Sequence, residues 1–175
     1  MTASFARPLS AAAALSLMLA ACSPVFNWRE VPVGEAGLVA LLPCKPDRAA
    51  RSVALGTASV EVRMAGCEAG RATFAVAQVL AADRAQADLW LAAWRAQARQ
   101  AWPGASDDAV AAVPRADASP PPRRFSGHAN DARIEVLWFS QAQAGGGVAV
   151  YQATVLGQAS EPAAATTFFE GLQLP

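Results

Sequence analysis

The sequence predicts an α+β domain in which helices pack against an antiparallel β-sheet. Short segments with alternating apolar and polar residues, typical of half-buried strands, fill the first part of the chain. A segment of helical periodicity follows, and strand-like segments then resume before a short aromatic stretch at the C-terminus. Runs of strands separated by a long helix favour an antiparallel sheet with helices on it over repeated βαβ units.

Five predicted strands precede the long helix. Residues 59–64 alternate strictly, which directs Val60 and Val62 toward the core and Glu61 toward solvent. Apolar or alternating runs that end at proline or glycine predict the other four strands: 28–33, 37–42, 51–55 and 72–80. Because Pro32 lacks a backbone N–H, the first strand is expected at a sheet edge.

Residues 83–102 form the clearest predicted helix. Its apolar side chains recur at helical spacing on one face, which consists of Ala87, Trp90, Leu91, Trp94, Ala98, Ala101 and Trp102. Arg84 and Asp88 lie four residues apart on the opposite, polar face. Pro103 and Gly104 are expected to end the helix.

The remainder of the chain predicts two more strands and a short helix. The proline-rich segment 103–124 is expected to be irregular, and strands are expected at 133–139 and 148–156. The final helix is expected to begin near Ser160, a favourable N-cap residue, with Pro162 in its first turn.

The N-terminus has the pattern of a cleaved export signal. Arg7 precedes the apolar run Leu9–Ala21, which is too short to span a bilayer core of ~30 Å that needs about 20 helical residues. The run ends in Leu19-Ala20-Ala21-Cys22, which resembles the lipobox of bacterial lipoproteins. The resemblance implies cleavage after Ala21, a diacylglycerol thioether on Cys22 and acylation, for example by palmitate, of the new N-terminus.

These features divide the chain into a signal peptide at 1–21, a lipidated tether at 22–27 and a single α+β domain at 28–175. Ser23 follows the cysteine where an Asp would favour inner-membrane retention, so outer-membrane attachment facing the periplasm is expected. Several acyl chains hold a protein on a membrane where one chain is marginal.

The charge balance excludes one class of function. The chain has 14 Lys and Arg residues against 14 Asp and Glu residues. Electrostatic binding of nucleic acid needs a basic surplus to displace counterions from phosphates. No nucleic-acid partner is therefore expected.

Cys44 and Cys67 are expected to form a disulfide, because they would lie in an oxidising compartment. Cysteines on strands that flank an intervening strand would have Cα atoms ~9–10 Å apart, beyond the ~7 Å that a bridge tolerates. The bond thus requires adjacent strands or a loop that folds over. A metal site is disfavoured because there is no CxxC motif and His128 is the single histidine. No cofactor is expected.

Two segments are similar to PsbP-like domains. The aliphatic run Leu38–Leu42, followed by Pro43 and Pro46, resembles their opening strand. Tyr151–Val155 and Phe168–Leu172 resemble their last strand and aromatic C-terminal helix. The chain also resembles uncharacterised Gram-negative lipoproteins of similar length. The resemblance implies a three-layer α/β/α sandwich and an accessory or assembly role without catalytic residues.

The tryptophans of the predicted helix are the first candidate site. Trp90, Trp94 and Trp102 lie on one stripe and offer a large contact area for a ligand or partner. The same spacing is more often that of side chains buried against a sheet.

The segment after the prolines contains two further candidates. Ser126, His128 and Asp131 are residue types of a nucleophile, a base and an orienting group. Without a nucleophile elbow or oxyanion loop, neighbours in a Gly- and Asn-containing segment are more typical of a solvated turn. Arg123 and Arg124 could meet an anionic surface, although two charges are few and a solvated strand end is the more frequent situation.

The expected function is a non-enzymatic, lipid-anchored binding or assembly module of the cell envelope with an envelope protein as partner. The alternatives are an envelope hydrolase that uses Ser126 and His128, or a carrier of a small ligand along the Trp90–Trp94 face.

Overall fold

The computed structural model describes residues 24–106, 112–129 and 132–175. The predicted signal peptide at 1–21 and the predicted lipidation site Cys22 lie outside these residues. Within them the elements are, in order, β1 (Arg29–Val33), β2 (Leu38–Leu42), β3 (Asp47–Leu55), β4 (Ala58–Ala69), β5 (Ala72–Ala81), α1 (Arg84–Ala101), β6 (Arg123–Ala129), β7 (Ala132–Ala142), β8 (Val148–Gly157), α2 (Ala164–Glu170) and β9 (Leu172–Gln173).

The strands form two antiparallel sheets. The small sheet has the order β1-β2-β9, and the large sheet has the order β3-β4-β5-β8-β7-β6. Strands dominate the described residues, and the two helices pack on the sheets. The predicted combination of antiparallel sheet and packed helices is therefore confirmed, with β1 at a sheet edge as expected.

The two faces of the large sheet carry separate apolar cores. Along β5, Phe74 and Val76 belong to the core beneath the small sheet, whereas Ala77 and Val79 belong to the core beneath α1. The short helix α2 lies on the small-sheet side, where the Phe168 ring packs edge-on against Phe74 at 5.6 Å between centroids. The three layers are thus the small sheet with α2, the large sheet, and α1.

Helix α1 has the predicted limits. Asp83 is its N-cap and accepts a hydrogen bond of 2.8 Å from the Gln86 backbone N–H, and Trp102 is its C-cap. Its buried residues are Ala87, Trp90, Leu91 and Trp94. Ala101, predicted on the same face, is exposed. Arg84 pairs with Asp117 outside the helix. No helix within the described ranges has the length and apolar character needed to cross a bilayer.

The disulfide joins the two sheets. Cys44 lies in the loop after β2 and Cys67 lies in β4, with Cα atoms 5.9 Å apart. The predicted pairing is present, and the folded-over loop, not a pair of adjacent strands, makes the short distance possible.

Residues 123–129 form strand β6, so the solvated turn predicted around Ser126 and His128 is wrong. Phe125 is the large buried side chain of this strand, and its ring packs against Trp138 at 5.7 Å between centroids. Because the segment has one large apolar side chain, its sequence shows little alternation of apolar and polar residues. Burial of Phe125 nevertheless holds the strand against β7.

The C-terminal helix begins later than predicted. Its N-cap is Ala163, without a side-chain hydrogen bond, instead of Ser160. The Ser160 backbone N–H donates to the Gly70 carbonyl at 2.7 Å, so this residue joins the turn after β4 instead of capping a helix. The two-residue strand β9, which was not predicted, pairs with Val39 and Ala40 of β2.

Candidate binding cleft between strands β4 and β5

Strands β4 and β5 are paired over only part of their length. Their pairing runs from the turn between them to the Arg63–Gln78 pair. Beyond that pair β4 continues alongside β3 as far as Ala58, and β5 continues alongside β8 as far as Ala81. The large sheet therefore forks at Arg63 and Gln78 into two leaves.

The outer leaf, made of β3 and β4, packs against helix α1. Leu55 and Val60 of this leaf belong to the same apolar cluster as Trp90 of the helix. The Gln97 side chain of α1 also donates a hydrogen bond of 2.7 Å to the Ala54 carbonyl. Burial against the helix thus holds the outer leaf in place where β4 no longer pairs with β5.

A cavity of about 310 Å³ lies at the fork. Its apolar wall consists of Val60, Val79, Leu80 and Trp90, and its polar rim consists of Glu35, Glu61, Arg63 and Gln78. An apolar lining with a few convergent polar groups is typical of small-molecule sites, and this volume is at the lower end of their range. We call this cavity the β4–β5 cleft.

The rim of the cleft carries two carboxylates and one guanidinium. The Arg63 Nε lies 3.0 Å from Glu61 Oε1, and Arg63 Nη1 also pairs with Glu35. Hydrogen bonds to Glu35 and then to Glu61 raise the pKa of Arg63. The Glu35 and Glu61 side chains remain 63% and 62% exposed. Both carboxylates are therefore accessible to a molecule at the mouth.

A chain of buried hydrogen bonds positions Gln78, which lines the cleft. Gln78 Oε1 accepts from the Glu35 backbone N–H at 3.0 Å, and Gln78 Nε2 donates to the Tyr151 hydroxyl at 3.3 Å. Burial raises the pKa of that hydroxyl, and the hydrogen bond with Gln78 opposes the shift. The turn between β1 and β2 is thereby tied to the centre of the large sheet.

Gly34 permits this contact. Its φ is +63°, and a Cβ there would lie 1.8 Å from Gln78 Oε1. Only glycine combines the left-handed backbone with the space that the amide occupies.

A second cavity, of about 410 Å³, adjoins the cleft. Glu35 and Arg63 line both cavities, and Arg48 lines only the second. The Glu35–Arg63 ion pair therefore lies at the boundary between the two spaces. An ion pair so exposed contributes little stability, about 0–1 kcal/mol, and does not hold the spaces rigidly apart.

The structure separates the three predicted tryptophans. Trp90 lines the cleft, Trp94 is buried in the core beneath α1, and Trp102 is half-buried at the helix end. The stripe is thus mainly core, and only its first member reaches the cleft. Gln78 was not among the predicted site residues, although a glutamine within the apolar run 72–80 is an available signal for a polar contact.

The Ser126 region has no assembled triad among the described residues. Ser126 and His128 lie two residues apart on the same side of β6. Ser126 is paired with Glu135 of β7, and His128 is paired with Arg133. Within the described ranges, no hydrogen bond joins the side chains of Ser126 and His128. Ser126 instead exchanges backbone hydrogen bonds with Ser106. Asp131 lies outside the described residues.

Arg124 is not a solvated strand end. It forms an ion pair with the buried carboxylate of Glu135, which Arg133 also contacts at 2.8 Å. Its guanidinium lies over the Phe169 ring, 4.6 Å from the centroid. Arg124 therefore fastens β6 and β7 to helix α2.

In the part of the chain that the structure covers, no group of three or more His, Cys, Asp or Glu side chains is placed to hold a metal ion. No protein-family model matches the chain, and no curated protein matches its sequence.

Proposed function

We propose that this protein is a lipid-anchored, non-enzymatic binding or assembly module of the bacterial envelope. It is attached to the outer membrane and faces the periplasm. The β4–β5 cleft is the observation that carries the proposal, because a recess with an apolar wall and charged rim is suited to hold a ligand or a partner side chain.

The use of the buried polar groups supports binding over catalysis. In the described residues these groups are Gln78, Glu135 and Ser140. Gln78 holds the β1–β2 turn, Glu135 joins two arginines, and Ser140 donates to Asp117 at 2.8 Å. Each one links elements of the fold.

Two features support the envelope location. The Leu19–Cys22 motif resembles a lipobox. The Cys44–Cys67 disulfide is of a kind that persists in oxidising compartments such as the bacterial periplasm.

The order of elements supports an assignment to the PsbP-like proteins. Strands, a long helix, further strands and a short aromatic helix follow one another. Within α2, Phe168 and Phe169 are both buried. An accessory role in assembly is the function that this assignment favours.

Lipid attachment is tested by labelling cells with radioactive palmitate. The wild-type chain should incorporate label, and Cys22→Ala should not. Equal labelling of the two proteins would overturn the proposed anchor.

Binding at the cleft is tested by a photoreactive amino acid placed at Leu80, whose side chain lines the mouth and is 49% exposed. The matched control is Leu89, which is 71% exposed on α1 and outside the cleft. In intact envelopes, Leu80 should give adducts that Leu89 does not. Identical adduct patterns would contradict a role of the cleft in binding a partner protein.

Trp90 in the cleft wall favours the ligand-carrier form of this function. The hydrolase alternative has a separate test, the Ser126→Ala, His128→Ala double variant. If the protein is a non-enzymatic binding module, this double variant should retain the cellular phenotype and the melting temperature of the wild type. Loss of the phenotype in a fully folded variant would favour the enzyme.

A further inference from the structure

The β4–β5 cleft has an excess of negative charge. Glu35 and Glu61 supply two negative charges and Arg63 supplies one positive charge, so the rim has a net charge of −1. Arg63 already contacts both carboxylates. An anionic ligand would have to displace one of them and would meet the other as a like charge.

The two carboxylates of the rim differ in the cavities that they line. Arg48 and Glu35 both line the adjoining cavity, and Arg48 Nη1 donates to the Pro32 carbonyl at 2.7 Å. Glu61 lines the β4–β5 cleft and does not line the adjoining cavity. A cation is therefore expected to contact Glu61 on the side away from Arg48.

The rest of the lining determines the body of the ligand. Val60, Val79 and Leu80 provide apolar contact next to the rim, and the Trp90 indole lies in the same wall. Tryptophan rings attract cations as well as apolar groups. Gln78 is engaged with Glu35 and Tyr151, so the polar end of a ligand has the carboxylates as its partners.

From this arrangement we propose that the β4–β5 cleft binds an organic ammonium ion with a compact apolar body. The ammonium group contacts Glu61, and the apolar body lies on Leu80, Val79 and Trp90. This ligand class rests on the proposed binding function and narrows it to cationic molecules.

The test compares three probes with similar apolar bodies: 2-phenylethylammonium, 2-phenylethanol and 3-phenylpropanoate. The full-length chain, held in nanodiscs of zwitterionic lipid, is titrated with each probe while backbone amide chemical shifts are recorded. The ammonium ion should give saturable shifts at Glu61, Val79 and Leu80. The anion should bind roughly tenfold more weakly, because attraction is replaced by repulsion.

Two pairs of variants separate the charge from the apolar contact. Glu61→Gln should weaken ammonium binding by about two- to fivefold and leave the alcohol unaffected. Glu68→Gln, an exposed position further along β4 and outside the cleft, should change neither. Leu80→Ala should weaken all three probes, and Leu89→Ala should weaken none. Unchanged melting temperatures establish that each variant is folded.

The ligand class is wrong if 3-phenylpropanoate binds as tightly as the ammonium ion. It is also wrong if the shifts lie outside the cleft, or if Glu61→Gln behaves like Glu68→Gln. Leu80-specific adducts without ammonium binding would overturn the ligand class and leave the proposed function standing. Ammonium binding without Leu80-specific adducts would support the ligand class and contradict an assembly role for the cleft.

Discussion

The side-chain amide of Gln78 donates to the hydroxyl of Tyr151 at 3.3 Å, and both residues are buried between the two sheets. Through the same amide, Tyr151 on the central strand β8 is connected to the backbone of Glu35 on the rim of the cleft. Changes at Tyr151 should therefore reach the β1–β2 turn without any direct contact with a ligand.

Tyr151→Phe should lower the free energy of unfolding by about 1 kcal/mol, because a buried N–H of Gln78 loses its acceptor. The measurement is urea denaturation at neutral pH. Amide shifts at Glu35 should move in the variant, whereas those in β6 should not. An unchanged midpoint and unchanged Glu35 shifts would contradict this role of the hydroxyl.

The same substitution should remove an alkaline destabilisation. Burial raises the pKa of Tyr151 above its ordinary value of 10.0, so the unfolded chain ionises first as the pH rises. The stability from the neutral hydroxyl is present below pH 10 and is lost as pH rises from there through the folded pKa. Wild type should lose stability in this window faster than Tyr151→Phe, as measured by thermal melts. Parallel curves would contradict the expectation.

Gly34→Ala should destabilise the fold more than Gly56→Ala. Both glycines have a left-handed backbone, with φ of +63° and +65°, so both substitutions carry a conformational cost of about 1–2 kcal/mol. A Cβ at Gly56 meets open space, whereas one at Gly34 overlaps the Gln78 amide. The difference between the two urea midpoints isolates the contact with Gln78. Equal losses would show that the turn moves freely away from Gln78.

Loss of the disulfide should cost about 3 kcal/mol in the chain-entropy model, because it closes a loop with a sequence separation of 23. The Cys44→Ala, Cys67→Ala double variant and reduced wild type should show similarly lowered urea midpoints. Reductant should have no effect on the double variant. A wild-type midpoint that is insensitive to complete reduction would contradict a stabilising role.

Asp117→Asn should destabilise the protein by about 1–3 kcal/mol. Burial alone raises the pKa of Asp117, but hydrogen bonds from Arg84, the Ala142 backbone and Ser140 together hold it below the ordinary value of 3.8. The stability from the carboxylate is therefore present above pH 3.8 and is lost as pH falls through the folded pKa. Acid titration followed by circular dichroism should show a weaker dependence below pH 4 in the variant. Asp88→Asn, at an exposed site on α1, is the matched control for loss of a carboxylate and should leave the urea midpoint close to that of the wild type.

Local periodicity of the sequence was sufficient to predict the strands and the helix that bury one face. The alternation at 59–64 correctly placed Val60 and Val62 in the core, and the spacing of the tryptophans correctly located α1. In these segments each side chain's environment follows from its position within the element.

Strand β6 was missed because its pattern depends on neighbours distant in sequence. Gly127 weakened the strand signal, yet its lack of a side chain has a packing reason. A Cβ there would lie 3.0 Å from the Ala105 Cβ and 3.2 Å from Ile134 Cγ2. Glycine in this strand reflects close approach of other elements and not a turn.

The cleft could not be predicted from the sequence. Both of its strands were expected, but the point at which β4 and β5 separate depends on which partner each strand keeps, β3 or β8. Contacts between residues more than twenty positions apart in the chain determine these partners. An example is the packing of Val60 in the apolar core beneath α1.

The position of the disulfide has a mechanical consequence. The chain enters the small sheet through Asn27, whose backbone N–H donates to the Pro43 carbonyl at 2.7 Å, one residue before Cys44. A pulling force applied through the N-terminal segment would reach β1 and β2 beside a covalent link to β4. Because that link does not yield with the hydrogen bonds, the force would pass from Cys44 directly to Cys67 once β1 and β2 had been pulled out. The residues between the two cysteines would then bear none of the load.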